Sequence, residues 1–118
     1  MTKDVQIKRV YEAPDKSDGT RVLIDRLWPR GLKREDAALD AWMKDAAPTN
    51  ELRKWFNHDP EKWAEFQRRY EAELRANEEA VRAISEKAGK SRLTLLYSAH
   101  DEKHNNAVVL ARLIRKMH

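Results

Sequence analysis

No cysteine occurs among the 118 residues. Disulfides, thiolate metal sites and thiol nucleophiles are thereby excluded, and the absence fits a reducing cytoplasm. Glycine is nearly as scarce, with three in the chain. A glycine-rich phosphate cradle is excluded, and neither G-x-G-x-x-G nor G-x-x-x-x-G-K-[ST] occurs. No run approaches the roughly 18–20 apolar residues of a membrane span, and the opening MTKDVQIKRV has no apolar leader core. The expected setting is cytoplasmic, without membrane contact. No His and acid residues stand at H-E-x-x-H spacing, so no metal is expected, and without a dinucleotide or phosphate-loop motif no cofactor is expected either.

Charge and aromatic anchors are what the chain has in quantity. Charged residues make up 37%, well above the usual quarter, so much of the surface is charged helix. Apolar residues at 41%, four Trp among them, suffice for one core without staples. The length fits a single domain over 1–118. The net charge is +4. Residues 1–30 carry seven basic and five acidic groups, 31–86 ten and thirteen, and 87–118 seven and two. Basicity gathers at the two ends. It serves solubility, and it also suits an anionic ligand or nucleic acid.

Residues 5–10 alternate apolar and polar, which predicts a half-buried strand. Ser17-Asp18-Gly19 marks a turn. The dense run 21–28 (RVLIDRLW) predicts a central strand, stopped by Pro29 and Gly31. Residues 32–47 are ambiguous. Lys33–Asp36 suits one helical turn, and 39–46 leans to strand. A helix starts at Thr49 and ends near Asn57-His58. Asp59-Pro60-Glu61 opens a second, whose apolar stripe runs through Trp63, Phe66, Tyr70, Leu74, Val81, Ile84 and Ala88. One helix bent at Asn77 and closed by Gly89 accounts for it. Residues 93–98 (LTLLYS) predict a buried parallel strand. Asp101 is placed to cap a last helix with Ala107, Leu110, Ala111, Ile114 and Met117 facing inward. This order predicts an α/β fold, a small mainly parallel sheet covered by helices.

In such sheets ligands collect beyond the carboxyl ends of the strands. Two segments stand there, 25–31 and 97–106, and their convergence is the central expectation. In the first, Arg26 and Arg30 flank Trp28-Pro29. Guanidinium groups suit phosphate or carboxylate, Trp28 offers a stacking face, and Asp25 is a partner that orients the site. The structural alternative pairs Arg26 with an acid and makes Trp28 a core plug. In the second, Tyr97 and Ser98 offer hydroxyls at the strand tip, and His104 and Asn105 sit where a helix opens toward an anion. His104 is the candidate general acid or base, with Asp25. His100 reads as a solvated loop residue, His58 as surface or interhelical, and His118 as terminal and disordered.

Three functions follow. The first is an enzyme or binder of a small anionic, phosphorylated or nucleotide-like ligand. The second is a nucleic-acid-binding module without catalysis, weakened by the modest charge. The third is an interaction protein, a homodimer through Trp42, Trp55 and Trp63. Whether any reaction is catalysed stays open on residues alone.

The stretches SDGTRVLIDRLWPRGLKREDAALDAW, TNELRKWFNHDPEKWAEFQRRYEAEL and LTLLYSAHDEKHNNAVVLARLI together resemble the YeaO-like family of bacterial proteins, domain of unknown function 488. The likeness covers about residues 5–116. The family's DRLWPRG loop is matched by 25–31, and its strand end followed by an HN-A-VVL helix is matched from Leu95 to Leu110. The resemblance implies an α/β fold and brings no reaction with it. Some members carry a porphyrin-type methyltransferase label, which a chain of this length without a glycine-rich cofactor loop does not match. Distant branches place cysteines after the last strand, where this chain has none.

Overall fold

Four short runs of β-forming residues lie side by side as one parallel sheet, in the order β1-β4-β2-β3. The computed structural model describes residues 3–117, so the expectation for His118 falls outside it. The strands are β1 (Val5–Arg9), β2 (Thr20–Leu23), β3 (Ala41–Trp42) and β4 (Leu93–Tyr97). The helices are α1 (Arg34–Ala37), α2 (Asn50–Phe56), α3 (Trp63–Ala76), α4 (Glu78–Ala88) and α5 (Asn106–Met117). The expected α/β class holds, and the sheet is parallel throughout. No helix among the described residues is long and apolar enough to cross a membrane.

The helix signals act as their chemistry requires. Thr49 Oγ1 accepts from Leu52 N at 3.2 Å and caps α2. Asp59 Oδ1 accepts from Glu61 N at 3.0 Å at a 3-10 turn over Pro60–Lys62, so α3 itself starts later than expected, at Trp63. Gly89 closes α4 at φ 57°, a conformation costly for any residue with a Cβ. The helical stripe is broken rather than bent. Asn77, at φ −127° and ψ 53°, leaves helical geometry and separates α3 from α4, and its side chain donates to Asp45 O at 2.9 Å.

Other expectations are corrected. The strand expected over 21–28 ends at Leu23. The apolar residues beyond it serve two purposes, because Trp28 leaves the sheet and packs over Leu23 and Leu96. The lean to strand over 39–46 reduces to two residues, held to β2 by Asp40 N→Arg21 O at 2.8 Å and Met43 N→Leu23 O at 2.9 Å. Asp101 does not cap α5. Its Oδ1 takes Lys103 N and His104 N in a turn before the helix, and Asn105 Oδ1 accepts from Val108 N at 3.1 Å instead. Met117 is exposed, one turn beyond the buried Ile114.

Each sheet face has its own covering. Val5, Val22 and Leu95 face α2–α5, where Phe66, Tyr70, Ile84, Leu110 and Ile114 complete the main core. On the other face Val10, Leu23 and Leu96 meet Ala37, Trp28 and Trp42. The chain therefore turns to one face after β2 and to the other after β4, although β2 and β4 are neighbours. That divergence opens a crevice beyond their carboxyl ends.

Candidate functional site

A cavity of about 470 Å³ occupies this crevice, within the range of roughly 300–1,000 Å³ typical of small-molecule sites. Residues 25–30 form one wall and Ser98, Ala99, His104, Asn105 and Asn106 another. The two segments singled out from the sequence do meet. A third wall comes from the region of α2 and α3, through Pro48, Arg53, Phe56, His58 and Phe66.

Asp25 joins the first two walls. Its Oδ2 accepts from Ser98 N at 3.0 Å and Ser98 Oγ at 2.6 Å, and its Oδ1 from Asn106 Nδ2 at 3.3 Å. These are neutral donors, and among the described residues no cation forms an ion pair with this carboxylate. Burial pushes the Asp25 carboxyl above the usual carboxylate range. The Ser98 and Asn106 bonds and nearby His58 draw it only part of the way back.

The arginines divide differently from the sequence expectation. Arg26 reaches across to carbonyls, with Nε→Pro48 O at 2.9 Å and a guanidinium nitrogen to Ala47 O at 3.4 Å. It fixes the approach to α2, and it pairs with no acid. Arg30 sits exposed at the cavity, where its carbonyl accepts from Tyr11 Oη at 2.8 Å. Arg53 was not singled out. It is half-buried in α2, touches Asn50 Oδ1 at 3.4 Å, and lines the cavity. Its Nε is the one buried side-chain nitrogen or oxygen among the described residues that has no hydrogen-bond partner. The available signal was its place one turn before Phe56 on α2.

Trp28 serves both readings. It donates Nε1–H to Leu32 O at 2.7 Å, meets Trp42 edge-on at 5.2 Å, carries Arg34 over its ring at 4.6 Å, and also lines the cavity. His104 Nδ1 lies 2.8 Å from Asp101 Oδ2. Facing a carboxylate, Nδ1 carries the proton, which leaves Nε2 for other partners. The His104 bond, with Lys103 N, holds Asp101 below its ordinary range. His104 also packs edge-on against Trp63 at 5.3 Å. Tyr97 is buried in the main core and is not among the cavity residues. Its hydroxyl bonds the Asn105 side chain, and burial raises its pKa. It supports Asn105 and has no strand-tip position open to a ligand. His100 is exposed and outside the cavity.

His58, expected at the surface or between helices, is exposed yet lines the cavity. Asn57 and His58 follow α2 with φ of 45° and 55°. Two successive left-handed residues are uncommon, and they turn the chain so that His58 stands beside the cavity. Among the described residues no three His, Asp or Glu side chains are grouped as metal ligands. The charged groups around the cavity are mainly basic. Arg26, Arg30 and Arg53 face a single carboxylate, Asp25.

The fold and the site define a small parallel α/β domain with a ligand-sized cavity at its strand ends. Over residues 4–118 the chain matches the family model described as the inactive DUF488-N3 subclade. The chain belongs to this DUF488, YeaO-like family. It is similar to "Uncharacterized protein YeaO" of Escherichia coli, 46% identical over 114 residues, covering 97% of this chain and 99% of that protein. Uncharacterized proteins of Mycobacterium bovis and Mycobacterium tuberculosis are 40% identical over 110 residues, covering 93% of this chain and 92% of each. No solved structure matches.

Proposed function

We propose that the protein binds a small anionic ligand in the cavity between the DRLWPRG loop, the 98–106 segment and α2. The observation that carries this reading is the gathering of three guanidinium side chains, Arg26, Arg30 and Arg53, around a cavity lined by a single carboxylate; the buried Arg53 Nε also has no hydrogen-bond partner. A buried N–H of a guanidinium left unmade costs about 1–3 kcal/mol or more, and a rotation of the side chain toward a phosphate or carboxylate oxygen in the cavity would satisfy it. Arg26 and Arg30 add positive charge to the same cavity. Phosphate, sulfate and carboxylate are the groups that guanidinium recognises best. The family's description as an inactive subclade supports binding without turnover.

The Asp101–His104 pair favours one second reading, in which His104 Nε2 exchanges a proton with the bound ligand. Release of alcohol from a phosphomonoester, lost in His104→Ala, would establish it.

Thermal unfolding in the presence of inorganic phosphate tests the binding reading. Tm should rise with phosphate concentration as a ligand bound only to the native state requires, and Arg53→Gln should abolish the rise. An equal rise in folded Arg53→Gln overturns the assignment.

A further inference from the structure

The cavity presents a contradiction if its ligand is only an anion. Asp25, the carboxylate that ties two of its walls together, would repel such a ligand. Arg53 and Asp25 border the same space, and among the described residues neither forms an ion pair. A buried charge held only by neutral dipoles is costly, and proteins normally pair it. Other buried charges in this molecule follow that rule. Asp18, 1% exposed, is contacted by Lys8 at 3.0 Å and Arg21 at 2.5 Å. The cavity therefore holds a separated cation and anion, each without its counterion.

The acceptor geometry of Asp25 is uneven. Oδ2 takes two bonds of 3.0 and 2.6 Å from Ser98, while Oδ1 takes one long bond of 3.3 Å from Asn106. Asn106 Nδ2 makes its shorter bond, 2.9 Å, to Ile24 O. Oδ1 thus keeps acceptor capacity. Phe56, Phe66, Pro29 and Pro48 supply apolar lining.

Resting on the anion-binding reading above, we infer that the ligand is two-ended. A phosphate or carboxylate meets Arg53, and an ammonium or other cationic N–H group meets Asp25 Oδ1, with an apolar body between them. Such a molecule supplies the counterion missing at each end and turns the repulsion by Asp25 into attraction. An amine-bearing acid with an aromatic or aliphatic body is the chemical class. A bare oxyanion or a phosphorylated sugar without an amine satisfies one end only.

Calorimetric titration of the whole protein with matched pairs tests this. The probes are phenyl phosphate against 4-(2-aminoethyl)phenyl phosphate, and 3-phenylpropionate against 3-[4-(aminomethyl)phenyl]propionate. Within each pair the amine-bearing member should bind tighter by about tenfold or more, as a charge-assisted bond to a desolvated carboxylate implies. Asp25→Asn should bring each pair to equal affinity, and Arg53→Gln should weaken both members. Equal affinity within the pairs for the wild type overturns the inference and leaves the anion site standing; this comparison needs no variant to fold. Tighter binding of the amine-free acids to Asp25→Asn than to wild type, with no amine preference in wild type, also overturns it. That pattern places a proton on Asp25 in the complex. If neither phosphate probe binds and inorganic phosphate leaves Tm unchanged, the anion site itself falls, and the two-ended ligand with it.

Discussion

Two carboxylates, the buried Asp18 and the half-buried Asp25, one near each end of the sheet, are treated in opposite ways. Asp18 lies near the amino ends of the strands, on the face away from the long helices. Its Oδ1 accepts from Gln6 at 3.1 Å and Lys8 at 3.1 Å, and its Oδ2 from Lys8, Arg21 and Asp15 N. Burial raises its pKa, and the bonds from Asp15 N, Lys8 and Arg21 more than reverse that. Arg21 spends its other donors on the end of α1, at Ala37 O and Ala38 O. Every partner comes from the protein, so this cluster is scaffold. Asp25, at the carboxyl ends, has neutral partners, a raised pKa and an unsatisfied arginine across a cavity. The complete cluster reads as structure, and the incomplete one is where the proposed ligand would sit.

The comparison is broken most directly at Asp18. Asp18→Ala should cost about 3–5 kcal/mol, because it leaves Arg21 and Lys8 desolvated without a counterion. A urea denaturation series measures this, and a loss below about 1 kcal/mol would mean that water already screens the cluster.

The glycines near the two ends should differ next. Gly19, at φ 65°, would place a Cβ 2.3 Å from Arg92 O, the acceptor of Thr20 N at 2.8 Å. Gly19→Ala should therefore cost roughly 2–3 kcal/mol from strain and overpacking together. Gly31, at φ 75°, has nothing within 4 Å of the same added atom. Gly31→Ala should cost only about 1 kcal/mol from the backbone. Equal losses in chemical denaturation would remove this contrast between the ends.

Acid sharpens the comparison further. Asp18 is depressed, so its stabilisation is complete above the unfolded value of about 3.9 and is lost as pH falls below it. Asp25 is raised, so the native state takes up its proton first, and stability rises as pH falls from neutral toward that value. Asp25→Asn should remove the rise and cost no more than about 1 kcal/mol at neutral pH, from re-sorted amide donors. A shallower loss in acid for Asp25→Asn than for wild type, like that expected of Asp18→Asn, would contradict the assignment. Arg53→Gln should cost nothing and stabilise by up to about 1 kcal/mol, because no ion pair is lost and a buried unmade N–H is relieved. The same unfolding curves measure it, and a loss of several kcal/mol would make Arg53 scaffold as well.

Much of this arrangement is legible from local chemistry. Asp59-Pro60, Thr49 and Gly89 mark helix ends because their signals act within one turn. LTLLYS reads as a central strand because it is buried on both faces. The meeting of 25–30 with 98–106 follows from strand-end placement alone. What escaped depends on distant partners. Trp28 looks like strand until the opposite face of the sheet is present to receive it. Arg53 is an ordinary helical arginine until the crevice passes beside it. His58 looks solvent-facing because nothing local announces two left-handed residues in succession. Arg26 looks like an anion ligand because carbonyls 21 and 22 residues away cannot be read from spacing.

Of the four Trp residues, Trp28 alone lines the cavity. It stands 5.2 Å from Trp42, with cations over both rings at Arg34 and Lys44. Two indoles so close and so unlike in orientation exchange excitation, and the emission of the pair depends on what lies against Trp28. The molecule thus carries an intrinsic optical gauge at its crevice. Occupancy can be followed by fluorescence in the unlabelled chain, with Trp28→Phe as the silent reference.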